Sequence, residues 1–179
     1  MENSQILSTD RQVVLPAVIV VIAALFRCLP HVPNMTPIAA MALFGGAYLS
    51  KRYALLLPLL AMLVSDIFLG FHPVMPFVYG SFLATGLIGL WLRSHKTPGY
   101  IIGAALLSST IFFLTTNLGV WLMGGLYPKT AQGLLESYTM GLPFFRNTIL
   151  GDMLYTGIFF GGFAAIKTFI WQQKPASTT

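Results

Sequence analysis

Charge is scarce in this sequence. Ten Lys and Arg and five Asp and Glu make up 8% of its 179 residues, where an ordinary soluble domain carries roughly 25%. Cysteine is scarcer still: Cys28 stands alone, so no intramolecular disulfide can staple the fold. The common catalytic signatures are missing as well. There is no HExxH pair, no GxSxG elbow and no Gly-rich phosphate loop leading into Lys-Ser or Lys-Thr. His31, His72 and His95 are scattered along the chain, so neither a metal site nor a cofactor is expected. The N-terminal segment lacks the basic start and small-residue cleavage site of a secretory signal and reads as a retained span.

Apolar residues, by contrast, reach 56%, with a mean hydropathy of +0.77. A soluble domain of 19.6 kDa has too little interior to hide that much apolar surface. The expected fold class is therefore all-α, a single integral membrane bundle over residues 1–179. A hydrocarbon core of about 30 Å takes roughly 20 apolar residues per helix, and six spans are expected, at about 13–29, 37–49, 53–71, 74–92, 98–123 and 147–171. Thr36-Pro37 and Thr97-Pro98 each read as an N-cap followed by proline in the first turn. With the N-terminus inside, seven of the ten basic residues fall on the inner side and three on the outer, so both termini are expected in the cytoplasm. The net charge of +5 then reflects topology, and no nucleic-acid partner is implied. Small residues at four-residue spacing, Ala42-xxx-Gly46 and Gly157-xxx-Gly161-xxx-Ala165, supply helix-packing faces, within the bundle or towards a partner subunit.

The polar residues gather at one end. Asp66, Asp152 and Arg27 lie at about the same depth near the outer side, and two acids, Asp66 and Asp152, match two bases, Arg27 and Arg146. Left facing lipid each would cost a few kcal/mol, so they are expected inside, as a salt-bridge layer, as ligand contacts or in proton coupling. The outer loops contribute His31, Asn34 and His72, and the helix ends Tyr79, Asn117, Trp121 and Asn147. An amide and an indole four residues apart on one face, Asn117 and Trp121, suit a flat hydrogen-bonding ligand; interfacial anchoring is the other reading of such aromatics. Residues 124–146 are expected as a long outer loop, with 130–140 able to form a short amphipathic helix, as a lid or at the interface. Cys28 reads as a small buried apolar side chain or as a soft metal ligand.

The ordered motifs resemble those of the S components of energy-coupling-factor (ECF) vitamin transporters. They are the loop His31-Val32-Pro33-Asn34-Met35-Thr36-Pro37, the small cluster Ala42-Leu43-Phe44-Gly45-Gly46-Ala47, the helix end Ser65-Asp66-Ile67-Phe68-Leu69-Gly70 and the start Pro76-Phe77. The resemblance covers residues 15–92 closely and the second half loosely, through Gly151-Asp152 and the glycine-rich last helix. It implies a six-helix membrane protein that binds a small vitamin-like organic nutrient from outside. It also implies a scaffold subunit and cytoplasmic ATPases as partners, in the bacterial cytoplasmic membrane. The usual Ala-xxx-Ala docking face is missing from the first span, which offers Ala17-xxx-Val21 and Ala24-xxx-Cys28. The substrate-binding set expected is His31, Asn34, Asp66, His72, Tyr79, Asn117, Trp121, Asn147 and Asp152, with Arg27 and Arg146 as charge partners. A membrane enzyme acting on a lipid-linked substrate through Asp66, His72 and Asp152, and a structural assembly subunit, are the alternatives.

Overall fold

The computed structural model describes residues 32–172, together with Val14, Val18, Val21, Ile22 and Leu25, which are helical and exposed. Arg27, Cys28 and His31 lie outside the described residues. Every regular element described is helical: α1 (Ile38–Tyr48), α2 (Lys51–Ala54), α3 (Leu56–Leu69), α4 (Met75–Trp91) with a 3-10 turn over Leu92–Ser94, α5 (Pro98–Met123), α6 (Ala131–Thr156), a π-helical turn over Gly157–Gly161, and α7 (Gly162–Gln172).

Polarity is distributed inside out. Asp66, Asp152, Ser81, Thr85, Ser108 and Ser109 are buried, while Phe68, Ile67, Leu87, Leu107 and Leu150 are exposed. Water would penalise that arrangement, whereas lipid rewards it, because apolar side chains then face hydrocarbon and polar groups pair internally. Three stretches, Met75–Ser94, Pro98–Met123 and Ala131–Phe169, are long and apolar enough to cross a membrane, and α1 and α3 are shorter apolar helices.

At the centre stands α1. It is apolar all round, and its residues from Ile38 to Ala47 are buried, the condition of a helix enclosed on every side. Glycine permits its close approach to α4. A Cβ on Gly46 would lie 2.6 Å from the Gly86 carbonyl oxygen, and one on Gly89 would lie 2.5 Å from that of Leu43. The expected small-residue face of this helix is thus used within the bundle. The C-terminal end of α1 is closed by Arg93, whose Nε donates to the Gly46 carbonyl at 2.8 Å and whose Nη2 donates to that of Leu49. Around it Phe44 meets Phe160 and Phe163 edge-on, each at 5.4 Å.

One expectation is corrected here. Residues 124–146 are not a long loop, and the last helix does not begin at 147. The connection ends at Thr130, whose hydroxyl oxygen accepts from the Gly133 N–H at 3.1 Å and so caps α6. The helix then continues through Pro143, where the ring removes one rung of the ladder, and the apolar rod runs unbroken for 39 residues to Phe169. The small-residue seam of the last helix comprises Gly157, Gly161 and Ala165. All three are exposed, and a Cβ on either glycine would meet nothing within 4 Å among the described residues. This face packs against no described helix and runs along the π turn.

Candidate functional site

A cavity of about 700 Å³ opens at the end of the bundle where α1 begins. Its floor includes Ile38 and Ala39, the first turn of α1. The walls are the first half of α4 (Val78, Phe82), the C-terminal half of α5 (Phe112, Phe113, Thr116, Asn117, Val120) and α6 from Ser137 to Asp152. Asn34, His72 and Tyr127 border it from three connecting segments. The volume falls in the range of sites that enclose a small organic molecule.

Local chemistry places each border segment. The turn before α1 is closed by the Met35 N–H donating to the Val32 carbonyl at 2.9 Å, with Asn34 in the left-handed region at φ 62°, a conformation asparagine tolerates better than most residues. Asn147 ties this turn to α6 by donating from Nδ2 to the Pro33 carbonyl at 3.1 Å, and Gly151 leaves room for Met35 beside it. After α3, Gly70 at φ 94° reverses the chain and sets His72 at the rim. The loop after α5 is fastened at two points. The Trp121 indole N–H donates to the Pro128 carbonyl at 2.9 Å, and the Lys129 ammonium donates to the Trp121 carbonyl while lying 5.8 Å from the ring centroid. Tyr127 is carried over the cavity edge by that loop.

Inside, two aromatic pairs form much of the wall. Phe113 and Phe145 stack at 4.5 Å with 26° between their planes, and Phe82 lies 5.2 Å from Phe112. Asp152, only 3% exposed, accepts a 2.6 Å hydrogen bond at Oδ2 from the Ser109 hydroxyl. The Asn117 amide donates to the Phe113 carbonyl at 2.8 Å and rests against Gly141.

Four of the residues expected in the substrate-binding set, Asn34, His72, Asn117 and Asp152, therefore border one cavity. Asp66 is buried one layer away and accepts a 2.6 Å hydrogen bond from the Tyr79 hydroxyl; neither residue is part of the lining. Trp121 and Asn147 tie down the rim segments, as described. The expected pairing of Arg146 with an acid is corrected for Asp152, whose partner is Ser109. Residues 146 and 152 are six apart on one helix, about 240° around its axis, and Arg146 is exposed on the outer face. His31, Arg27 and Cys28 fall outside the described residues. No group of three His, Cys, Asp or Glu side chains suited to a metal occurs among the described residues.

The family model of a family of unknown function, DUF6580, matches residues 7–175. The chain belongs to this family. No curated protein and no solved structure matches it. For this DUF6580 member the sequence reading missed Ser109, Thr148 and the aromatics Phe82, Phe112 and Phe113. A signal for two of them was present. Thr148 lies one turn before Asp152 on the same face, and the Ser108-Ser109-Thr110 run interrupts an otherwise apolar span.

Proposed function

We propose that this protein is a membrane transport protein that binds a small, vitamin-like organic nutrient in the cavity and mediates its uptake. In this reading it works as, or like, an ECF transporter S component. Six spans make up the bundle in this reading: the one expected at about 13–29, then α1, α3, α4, α5 and the continuous α6–α7 rod. Arg93, Lys96 and Lys167 mark the opposite end of the bundle as cytoplasmic, and the cavity then opens outward, in the cytoplasmic membrane of a bacterium. The chain carries no phosphate-binding loop, so energy comes from a partner scaffold with ATPases or from spontaneous release.

One observation carries the reading: a cavity of about 700 Å³, walled by aromatic pairs and reached by a buried carboxyl group, at one end of an apolar bundle. An assembly subunit needs no such hollow. A catalytic site needs a second chemically competent group beside Asp152, and the imidazole among the described lining residues, His72, sits at the rim.

The test is mass spectrometry of the protein purified in mild detergent. A small organic molecule should co-purify with the wild type and be retained at least about tenfold less by Phe113→Ala, since an aromatic wall residue contributes about 1.5–3 kcal/mol of burial. Equal retention by both proteins counts against this cavity. Conversion of the bound molecule by purified protein alone favours the enzyme reading instead.

A further inference from the structure

Resting on the nutrient-binding reading, we propose that the cavity selects a flat aromatic ligand bearing amine- or amidine-type N–H donors, uncharged or monocationic, and rejects carboxylates and phosphates. Hydrogen-bonding capacity is one-sided along the α5 and α6 walls. The Thr116 hydroxyl donates to the Phe112 carbonyl at 2.7 Å, that of Ser137 to the Asn117 carbonyl at 2.8 Å, and that of Thr148 to the Phe144 carbonyl at 2.9 Å. A hydroxyl has one proton, so these three oxygens offer the cavity only lone pairs. Asn117 has likewise committed an amide N–H to the backbone, at the Phe113 carbonyl. Asp152 adds the strongest acceptor. Its Oδ2 is held by Ser109, and Oδ1 makes no hydrogen bond with the described residues.

Charge points the same way. No Lys or Arg lines the cavity among the described residues. The opposing contribution comes from α1, which starts at the floor without a side-chain cap. Its first-turn N–H groups amount to about half a positive charge, and they are the one cationic contribution beside the Asp152 carboxyl among the described lining residues. Between the α5 and α6 walls an anion would meet these lone pairs and the Asp152 carboxyl with no Lys or Arg beside it among the described residues, while the donors of Asn34, Thr36, His72 and Tyr127 stand on the border segments. A ring bearing N–H donors would meet acceptors on the α5 and α6 walls and lie against the Phe113–Phe145 pair, whose ring faces also attract a cation.

Benzamidine and benzoate differ in little but the sign of charge and the direction of their hydrogen bonds, so they serve as probes. Each is titrated into dialysed wild-type protein in detergent while binding is followed by calorimetry. Benzamidine should bind at least about tenfold more tightly than benzoate, and Asp152→Asn should erase most of that preference, because a hydrogen bond between charged groups is worth about 10- to 100-fold. Thr148→Val, which removes one acceptor with almost no change of shape, should weaken benzamidine by a smaller factor. The wild-type preference is read without any variant, so a misfolded Asp152→Asn leaves the test intact. Equal affinity for the two probes, or a preference for benzoate, overturns the ligand class while the nutrient-binding reading stands. Silence from both probes at millimolar concentration, with no co-purifying molecule, overturns both.

Discussion

The seam between α1 and α4 offers the sharpest test of the packing. Replacing Gly89 by alanine would place a methyl group 2.5 Å from the Leu43 carbonyl oxygen and 3.0 Å from that of Ala42. Ordinary contact begins near 3.4 Å, so α1 and α4 would have to part by about 1 Å, and backbone atoms cannot rotate away as a side chain can. A radial gap of that size forfeits a quarter to a half of each dispersion contact along the seam, and overpacking of this kind costs about 1–3 kcal/mol. Gly80 on the same helix is the control. It is exposed, with nothing within 4 Å of a built Cβ, and alanine there gains up to about 1 kcal/mol of helix propensity. Two chemically identical substitutions nine residues apart should therefore differ by about 2–4 kcal/mol and in sign. Denaturant titration in detergent, followed by far-UV circular dichroism, reads the difference. If Gly89→Ala proves as stable as Gly80→Ala, the two helices are not in backbone contact and the central placement of α1 is wrong.

Arg93 should behave as a cap that lysine cannot replace. Arg93→Ala leaves the carbonyls of Gly46 and Leu49 without their donor and should lower stability by about 1–3 kcal/mol, and Arg93→Lys should restore only part of it, since one ammonium cannot reproduce the guanidinium fork; full rescue would show that charge alone matters. Lys96, whose ammonium lies 4.5 Å from the Tyr48 ring centroid, is held below the ordinary lysine value by burial first and by the charges of Lys167 and Arg93 after it. Its charged form is the one the fold disfavours, so that penalty is present at neutral pH and vanishes as pH rises past the ordinary lysine value, where both folded and unfolded chains are neutral. NMR titration of reductively methylated protein should find Lys96 titrating below the ordinary lysine value and moving upward in Lys167→Gln; no movement would remove Lys167 from its surroundings.

Much of this could be read from residue order, and what could not has identifiable causes. Pro98 after Thr97 opens α5 where the sequence places it, because an extended cap followed by proline leaves little alternative. The polar gathering at one end was visible because each residue there is costly in lipid. The continuity of α6 was hidden: residues 130–140 are too polar to read as a span, and Pro143 looks like a break. Continuity depends on Thr130 and on Gly133 seated against the Pro128 carbonyl, a contact made only once the loop is folded. The π turn at Gly157–Gly161 was hidden too, since it has no signature in spacing. Phe82, Phe112 and Phe113 were unremarkable among fourteen phenylalanines, and only the arrangement of three helices reveals which of them share a wall.

The rod from Ala131 to Phe169 is 39 residues long, or about 58 Å at 1.5 Å per residue. That is nearly twice the thickness of the oily slab it crosses, so even a strongly leaning rod projects beyond the lipid. Gln132 and Glu136, joined by a 3.2 Å hydrogen bond on its first turns, belong in water or among headgroups rather than among acyl tails. The rim near Ser137 and Tyr127 then stands above the lipid like a parapet. A solute dissolved in the aqueous phase arrives there directly, whereas an amphiphile travelling in the bilayer would first have to climb out of it.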